Sequence, residues 1–449
     1  MRRKIYDTLL KWKQDENGAV ALLIEGARRV GKSYIVEEFG KREYKSYILI
    51  DFNKVGKDVK DLFRNYLEDL DTFFAMLSAR YGKRLYPRET LFIFDEVQRF
   101  PAARAAIKYL VQDGRYDYIE TGSLLSIKMN TEDIEIPSEE RSVPMHPMDF
   151  EEFLWALGND QLMPLIRSCF EKQLPMGPLH RKAMDYFRQY LIVGGMPQAV
   201  AEYVQTRDFE RVDRRKRDIL ALYRKDITKF AKGYEAKVSR IFDEVPSQLQ
   251  RHEKKFKLAD LNKGARMRDY ESAFFWLQEV KIVNICYNST QPNIGLKLNE
   301  DNTVLKCYMG DTGLLISHAF AARGAVTKEI YRKILFDKLE FNGGMIVENV
   351  VAQMLTAAGH ELFFFTNADR EDKDNRMEID FLIQKPTVTS RHNISPIEVK
   401  SSTKYTLTSI ERCIKKYGSF LSTPYVIHSK DVEMKDGLTF LPLYMTSLL

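Results

Sequence analysis

One octapeptide, Gly26-Ala27-Arg28-Arg29-Val30-Gly31-Lys32-Ser33, constrains this chain more than any other feature. It fits G-x-x-x-x-G-K-[S/T], follows the apolar run Val20-Ala21-Leu22-Leu23-Ile24, and leads into Tyr34-Ile35-Val36-Glu37-Glu38-Phe39, which reads as a helix. Strand, glycine-rich turn and helix in that order make a phosphate cradle. Backbone N–H groups curl round the oxygens, and the helix N-terminus adds partial positive charge. Lys32 is then in reach of β- and γ-phosphates, and the Ser33 hydroxyl can bind Mg²⁺. The pattern predicts a bound nucleoside triphosphate, ATP or its product ADP, against Gly26 to Ser33 and the adjoining Tyr34.

A second motif follows at a suitable separation. Leu91-Phe92-Ile93-Phe94-Asp95-Glu96 is an apolar run closed by two acids, as expected of a buried parallel strand ending at a ligand crevice. There Asp95 would hold Mg²⁺ through water, and Glu96 would polarise the water that attacks the γ-phosphate. A further run, Tyr116-Asp117-Tyr118-Ile119-Glu120, ends in Thr121-Gly122-Ser123. Thr121 and Ser123 are candidates to sense the γ-phosphate, and a plain turn fits either one as well.

At 449 residues the chain is too long for one core, so two to four domains are expected. No apolar run approaches the roughly 20 residues that span a bilayer. Met1-Arg2-Arg3-Lys4 has no apolar stretch behind it and does not read as a secretory signal. Cys169, Cys286, Cys307 and Cys413 are scattered without a C-x-x-C pair, against a zinc site or a disulfide scaffold. A reducing cytoplasm is the simplest compartment. The net charge of +6 is compatible with nucleic acid without pointing to it. Arg211-Val212-Asp213-Arg214-Arg215-Lys216-Arg217 and Lys254-Lys255-Phe256-Lys257 are local basic clusters; a solvated helix face and a nucleic-acid patch fit both equally.

The organisation is α/β. Residues 1–150 alternate strand and helix, with Tyr47–Asp51 a further strand and Pro101–Leu110 a helix, which means a mostly parallel sheet covered on both faces. Residues 151–235 read as helical, broken at Val193-Gly194-Gly195-Met196-Pro197. Within residues 236–330, a helix opening at Phe256, another over Arg268–Val280 and strands at Ile282–Tyr287 and Val304–Met309 suggest a winged-helix unit. Such a unit either binds DNA through its second helix or serves for packing.

Residues 331–449 carry their own constellation. Met377-Glu378-Ile379-Asp380-Phe381-Leu382-Ile383 and Pro396-Ile397-Glu398-Val399-Lys400 read as two strands of a hairpin. Antiparallel pairing brings Asp380 and Glu398 to one end, and Glu398 and Lys400 share a face. Two carboxylates make a hard oxygen site for Mg²⁺, and the lysine can orient or activate water, which is the chemistry of phosphodiester hydrolysis. Glu348, at the edge of the apolar stripe of a helix over Gly344–Leu355, is a further candidate ligand. A surface hairpin decorated with charges is the competing reading.

These residues, with Asp95-Glu96-Val97-Gln98, Pro147-Met148-Asp149-Phe150-Glu151-Glu152-Phe153-Leu154, Gly194-Gly195-Met196-Pro197, Tyr308-Met309-Gly310-Asp311-Thr312-Gly313-Leu314-Leu315 and Glu348-Asn349, resemble the prokaryotic AAA+ ATPases that carry a C-terminal domain of unknown function 4143. The resemblance covers nearly the whole chain. It implies a P-loop AAA+ core, a helical and winged-helix middle, and a nuclease-like end of the PD-(D/E)xK type. It further implies that Pro197 packs near the adenine as a nucleotide sensor. Family members carry Gly-Arg where Glu140-Arg141 stands here; the glycine is missing, but Arg141 is retained and could touch a γ-phosphate in cis or in trans, unless it forms a surface salt bridge. Two functions follow as expectations. One is ATP hydrolysis coupled to DNA binding or to Mg²⁺-dependent DNA cleavage. The other is a nucleotide-dependent switch whose C-terminal module does not cleave, read by a protein partner. Homo-oligomer and monomer both fit the resemblance.

Overall fold

The computed structural model describes residues 1–122, 138–251, 253–293, 295–320, 324–335, 343–367, 369, 372, 375–385, 392–402 and 404–449, without the side chains of 324–327. The chain divides into two compact units, Met1–His146 and Pro147–Leu449. Among the described residues no helix is long and apolar enough to cross a membrane.

The first unit is a parallel sheet of five strands in the order β2-β3-β4-β1-β5. They are β1 (Ala21–Glu25), β2 (Ser46–Asp51), β3 (Thr90–Asp95), β4 (Asp117–Gly122) and β5 (Glu140–Pro144). Every residue of β1, β3 and β4 is buried, as the continuous apolar runs demand of strands covered on both faces. Successive side chains feed opposite cores. Ala21 and Leu23 join the phenylalanine-rich face of Phe52, Phe63, Phe92 and Phe94. Leu22 and Ile24 join Leu9, Trp12 and Phe39 on the other. The register sets Asp51 beside Asp95, and Glu25 beside both Gly122 and Pro144, so the strands end together. The loop after β1 therefore opens at the carboxyl edge between β4 and β5, the usual ligand crevice of such sheets.

The second unit opens with helices at Phe150–Ala156, Leu162–Glu171, Pro178–Val193, Pro197–Thr206, Phe209–Phe230 and Glu235–Gln250. The expected helix at Phe256 is only a 3₁₀ turn, Leu258–Asp260, because Phe256 itself is drawn into the core edge-on to Phe274, 5.0 Å between centroids. The next helix starts at Glu271, after a second 3₁₀ turn at Met267–Asp269.

An eight-stranded mixed sheet completes this unit, in the order β12-β13-β11-β10-β9-β8-β6-β7. Its strands are β6 (Val283–Ser289), β7 (Glu300–Met309), β8 (Phe363–Asn367), β9 (Met377–Gln384), β10 (Ile394–Val399), β11 (Tyr425–His428), β12 (Glu433–Lys435) and β13 (Leu438–Pro442). The hairpin β6–β7, assigned from sequence to a winged-helix unit ending at residue 330, is joined to the C-terminal strands through parallel pairing of β6 with β8. The sheet thus runs across that boundary. Strands β8, β9 and β10 form an antiparallel meander, and β11 returns parallel to β10 after the helix Thr408–Tyr417. The helix Gly343–Ala357 lies against β6, β7 and β10.

Several short motifs of this unit are explained by packing on one another. Asp149 and Glu152 form a reciprocal capping box at the helix Phe150–Ala156. Asp311 caps the helix Thr312–Ala319 by accepting from Leu314 N at 2.8 Å, and its other oxygen accepts from Gly195 N at 2.6 Å. A Cβ on Gly195 would lie 2.1 Å from the Met148 carbonyl oxygen, so no larger residue fits that crossing. Asn349 accepts from Met309 N at 2.8 Å and donates to Thr312 Oγ1 at 2.9 Å. Pro197 stands at the start of the helix Pro197–Thr206, where its missing N–H costs nothing.

Candidate functional site

In the first unit the phosphate loop runs from Gly26 into the helix Lys32–Glu43. Gly31 caps that helix at φ 101°, in the left-handed region where a side chain is disfavoured. Arg29 takes φ 70° and Glu96 φ 56°, left-handed conformations that cost non-glycine residues about 1–3 kcal/mol and tend to collect at functional sites. Ala27 and Val30 are buried beneath the loop, while Arg28, Arg29 and Tyr34 are exposed.

Three polar side chains meet at the strand ends. Ser33 Oγ donates to Asp95 Oδ1 at 2.7 Å, and Thr121 Oγ1 donates to the same oxygen. Thr121 stands beside Ile24 in the ladder, so it and Ser33 meet on the acid that closes β3. Ser123 lies outside the described residues. Lys32 Nζ donates to the carbonyls of Gly26 at 2.8 Å and Ala27 at 3.1 Å. Burial pulls its pKa below the usual lysine value, against the opposing pull of Glu96 and Asp95. Glu96 accepts from Gln98 Nε2 at 2.6 Å.

Two further residues matter here. Arg3 was not anticipated: its guanidinium donates to Val30 O at 2.9 Å and His146 O at 2.6 Å, tying the back of the phosphate loop to the strand-β5 side. Nothing local in the sequence marks it, because its partners are backbone carbonyls distant along the chain. Glu140 occupies the place of the family's glycine as a strand residue paired with Ala21, not as a turn. It holds Arg104 through contacts of 2.7 and 3.2 Å. Arg141 pairs with Glu16 at 2.6 Å and sits opposite Leu22, three positions before the strand end at Glu25. That is the surface salt bridge foreseen as its alternative.

The second unit brings the C-terminal acids together as the hairpin register requires. Ile397 pairs with Phe381, so Glu398 and Asp380 come next on their strands. Lysines sit among them. Lys306, on β7 and 1% exposed, lies 3.0 Å from Glu378, 3.6 Å from Glu348 and 3.6 Å from Asp380. Its ammonium also stands 5.0 Å over the Phe364 ring. Lys254 pairs with Glu348 at 2.5 Å, Lys255 with Glu378 at 3.5 Å, and Lys400 with Glu398 at 3.1 Å. The other oxygen of Asp380, Oδ2, accepts from Val399 N at 2.9 Å.

Electrostatics follow from that mixture. Burial pushes Glu348 up to about 7 despite Lys254 and Lys306. Burial also raises Asp380, but Lys306 and Lys254 outweigh it and hold this carboxyl below the usual range. Burial lifts Glu398 to about 7, with Lys400 opposing. Among the described residues no three His, Cys, Asp or Glu side chains are grouped to hold a metal ion. The second basic cluster of the sequence is thereby accounted for: Lys254 and Lys255 face carboxylates, Phe256 is core, and Lys257 pairs with Glu253 at 3.7 Å. Lys306 was also missed, although a lone lysine in the apolar stretch Val304–Met309 is a signal that it has buried partners.

Residues 19–154 match the model of an AAA domain family. Residues 184–323 and 343–446 match two families described as domains of unknown function, DUF8612 and DUF4143. No curated protein matches the chain. Among solved structures it is similar to the Walker-type ATPase PABY2304 of Pyrococcus abyssi, at 16% identity over 71% of this chain and 95% of that one, TM-score 0.41. It is also similar to the Aeropyrum pernix ORC1 protein solved in complex with DNA, at 10% identity over 74% and 93%, TM-score 0.26. Drosophila ORC bound to DNA matches at 13% identity over 68% and 90%, TM-score 0.26.

Proposed function

We propose that this chain, which carries an AAA domain over residues 19–154 and a DUF4143 domain over residues 343–446, hydrolyses ATP to ADP and phosphate in its first unit. The observation that carries the reading is the convergence of Ser33 and Thr121 on one oxygen of Asp95, at the strand ends beside the phosphate loop. A hydroxyl and a carboxylate are hard oxygen donors that suit Mg²⁺, so Ser33 and Asp95 would hold it, and it would neutralise charge developing on the phosphates. Lys32 exchanges the Gly26 and Ala27 carbonyls for β- and γ-phosphate oxygens. Glu96 accepts the proton of the attacking water, held meanwhile by Gln98. Thr121 would register the γ-phosphate through Asp95.

The test separates binding from chemistry. Lys32→Ala should weaken ATP binding by tenfold or more, whereas Glu96→Gln should bind ATP normally and hydrolyse it about 10²-fold more slowly. Turnover by Glu96→Gln at the parent rate would remove Glu96 from the mechanism.

DNA is the proposed partner of the second unit. The support is the helix Phe209–Phe230, which carries Arg214, Lys225 and Lys229 exposed at spacings that share one face. Arg211, Arg215 and Arg217 are instead paired with Glu202 or Asp213. Replacing the three exposed cations by alanine should weaken DNA binding and flatten its salt dependence, measured by fluorescence anisotropy. Unchanged affinity would leave the switch reading with a protein partner.

A further inference from the structure

We propose that Lys306 stands in the cation position of the C-terminal acid cluster, so that the second unit excludes the divalent metal ion its D…E-x-K pattern suggests. The resemblance expects Glu348, Asp380 and Glu398 to hold Mg²⁺, with Lys400 assisting water. The donor set does not fit that ion. A single ammonium, 1% exposed, already takes Glu348, Glu378 and Asp380 within 3.0–3.6 Å. The remaining Asp380 oxygen accepts from the Val399 N–H. Glu398 gives Oε1 to Lys400, and its buried, unpartnered Oε2 is by itself too few donors for a divalent ion.

Charge balance points the same way. Four carboxyl groups, Glu348, Glu378, Asp380 and Glu398, face four ammonium groups, Lys254, Lys255, Lys306 and Lys400, so no negative charge is left over to offset a divalent ion. A divalent ion would leave at least two uncompensated positive charges in a largely buried site, and desolvation makes that unfavourable. Such an ion enters only if lysines leave, and Lys306 has no solvent to move into. The cluster is thus a buried ion-pair network that fastens β7 to β9 and to the helix Gly343–Ala357, and the module acts without cutting phosphodiesters.

This inference is independent of ATP hydrolysis and its test uses no nucleotide. Full-length protein carrying Asp95→Asn, which removes the metal carboxylate proposed at the phosphate loop, is titrated with Mn²⁺ and bound ions are counted by electron paramagnetic resonance. Adding Asp380→Asn should change nothing, because no ion sits there. Adding Lys306→Met should create one further bound Mn²⁺, and Asp380→Asn on top should abolish it. The proposal is overturned if Asp380→Asn lowers the Mn²⁺ count while Lys306 is present, or if the folded Lys306→Met protein gains no ion. Should Lys306→Met not fold, Lys306→Gln replaces it, and the comparison with Lys306 intact decides without either.

Discussion

Ser33 Oγ lies 2.7 Å from Asp95 Oδ1, joining the first turn of the helix after the phosphate loop to the last residue of β3. Two motifs distant in the sequence are therefore one device, and its parts should fail unequally. Ser33→Ala removes a proposed metal donor and the hydrogen bond together, so Mg²⁺-dependent turnover should fall about 10²-fold, while Ser33→Thr keeps most of it. Thr121→Val leaves both proposed Mg²⁺ donors in place and should lower kcat less, with KM for MgATP little changed. Steady-state kinetics on the three variants checks the order.

Arg3 supports the loop from behind, through Val30 O and His146 O. Its guanidinium donates to main-chain carbonyls of the loop and of the strand-β5 side, which makes it a positioning residue. Arg3→Ala should loosen the cradle and raise the ATP dissociation constant about tenfold, with kcat nearly unchanged, because misplacement of binding groups acts before chemistry. Arg3→Lys supplies one donor arm and should recover part of the affinity. Equal loss of kcat and affinity would instead mean that Arg3 acts on the reacting groups.

Legibility in the sequence followed the range of the interaction. The loop, the strand before it and the Asp95-Glu96 pair were readable because each is a local pattern of fixed spacing. The approach of Asp380 to Glu398 was readable too, since antiparallel pairing of a hairpin dictates it. The lysines were not. Lys306, Lys254 and Lys255 belong to a stretch read as winged helix, and only the pairing of β6 with β8 carries that stretch into the C-terminal sheet. Glu140 was opaque for the same reason. Its partner Arg104 sits on the helix Pro101–Asp113, so a missing glycine was visible while the ion pair that replaces it was not.

That ion pair is buried, with side chains 5% and 3% exposed, and Glu120 is packed against it. Burial, with the Glu140 carboxyl beside it, raises Glu120 well above the usual carboxylate value. Arg104→Met strands the Glu140 carboxylate beside it and should destabilise the first unit by about 3–5 kcal/mol. The double variant Arg104→Met/Glu140→Met removes both charges and should regain most of the loss. Denaturant unfolding of the parent, Arg104→Met, Glu140→Met and the double variant reads the coupling; additive single effects would show that the pair is not the source of the cost.

Glu398 gives the second unit a pH dependence of definite sign. Burial lifts its pKa from the ordinary 4.5 to about 7, with Lys400 opposing and Asp380 adding to the rise. Between those values the folded chain holds a proton that the unfolded chain has released. The stabilisation is complete below pH 4.5 and is lost as pH rises through 7, an amount on the order of 3 kcal/mol. Glu398→Gln carries no proton to lose, so its stability relative to the parent should improve by about that amount between pH 5 and pH 8. Unfolding free energies of both proteins at the two pH values make the measurement. Parallel pH profiles would mean that Lys400 keeps Glu398 ionised throughout, and the pairing at 3.1 Å would then outweigh burial.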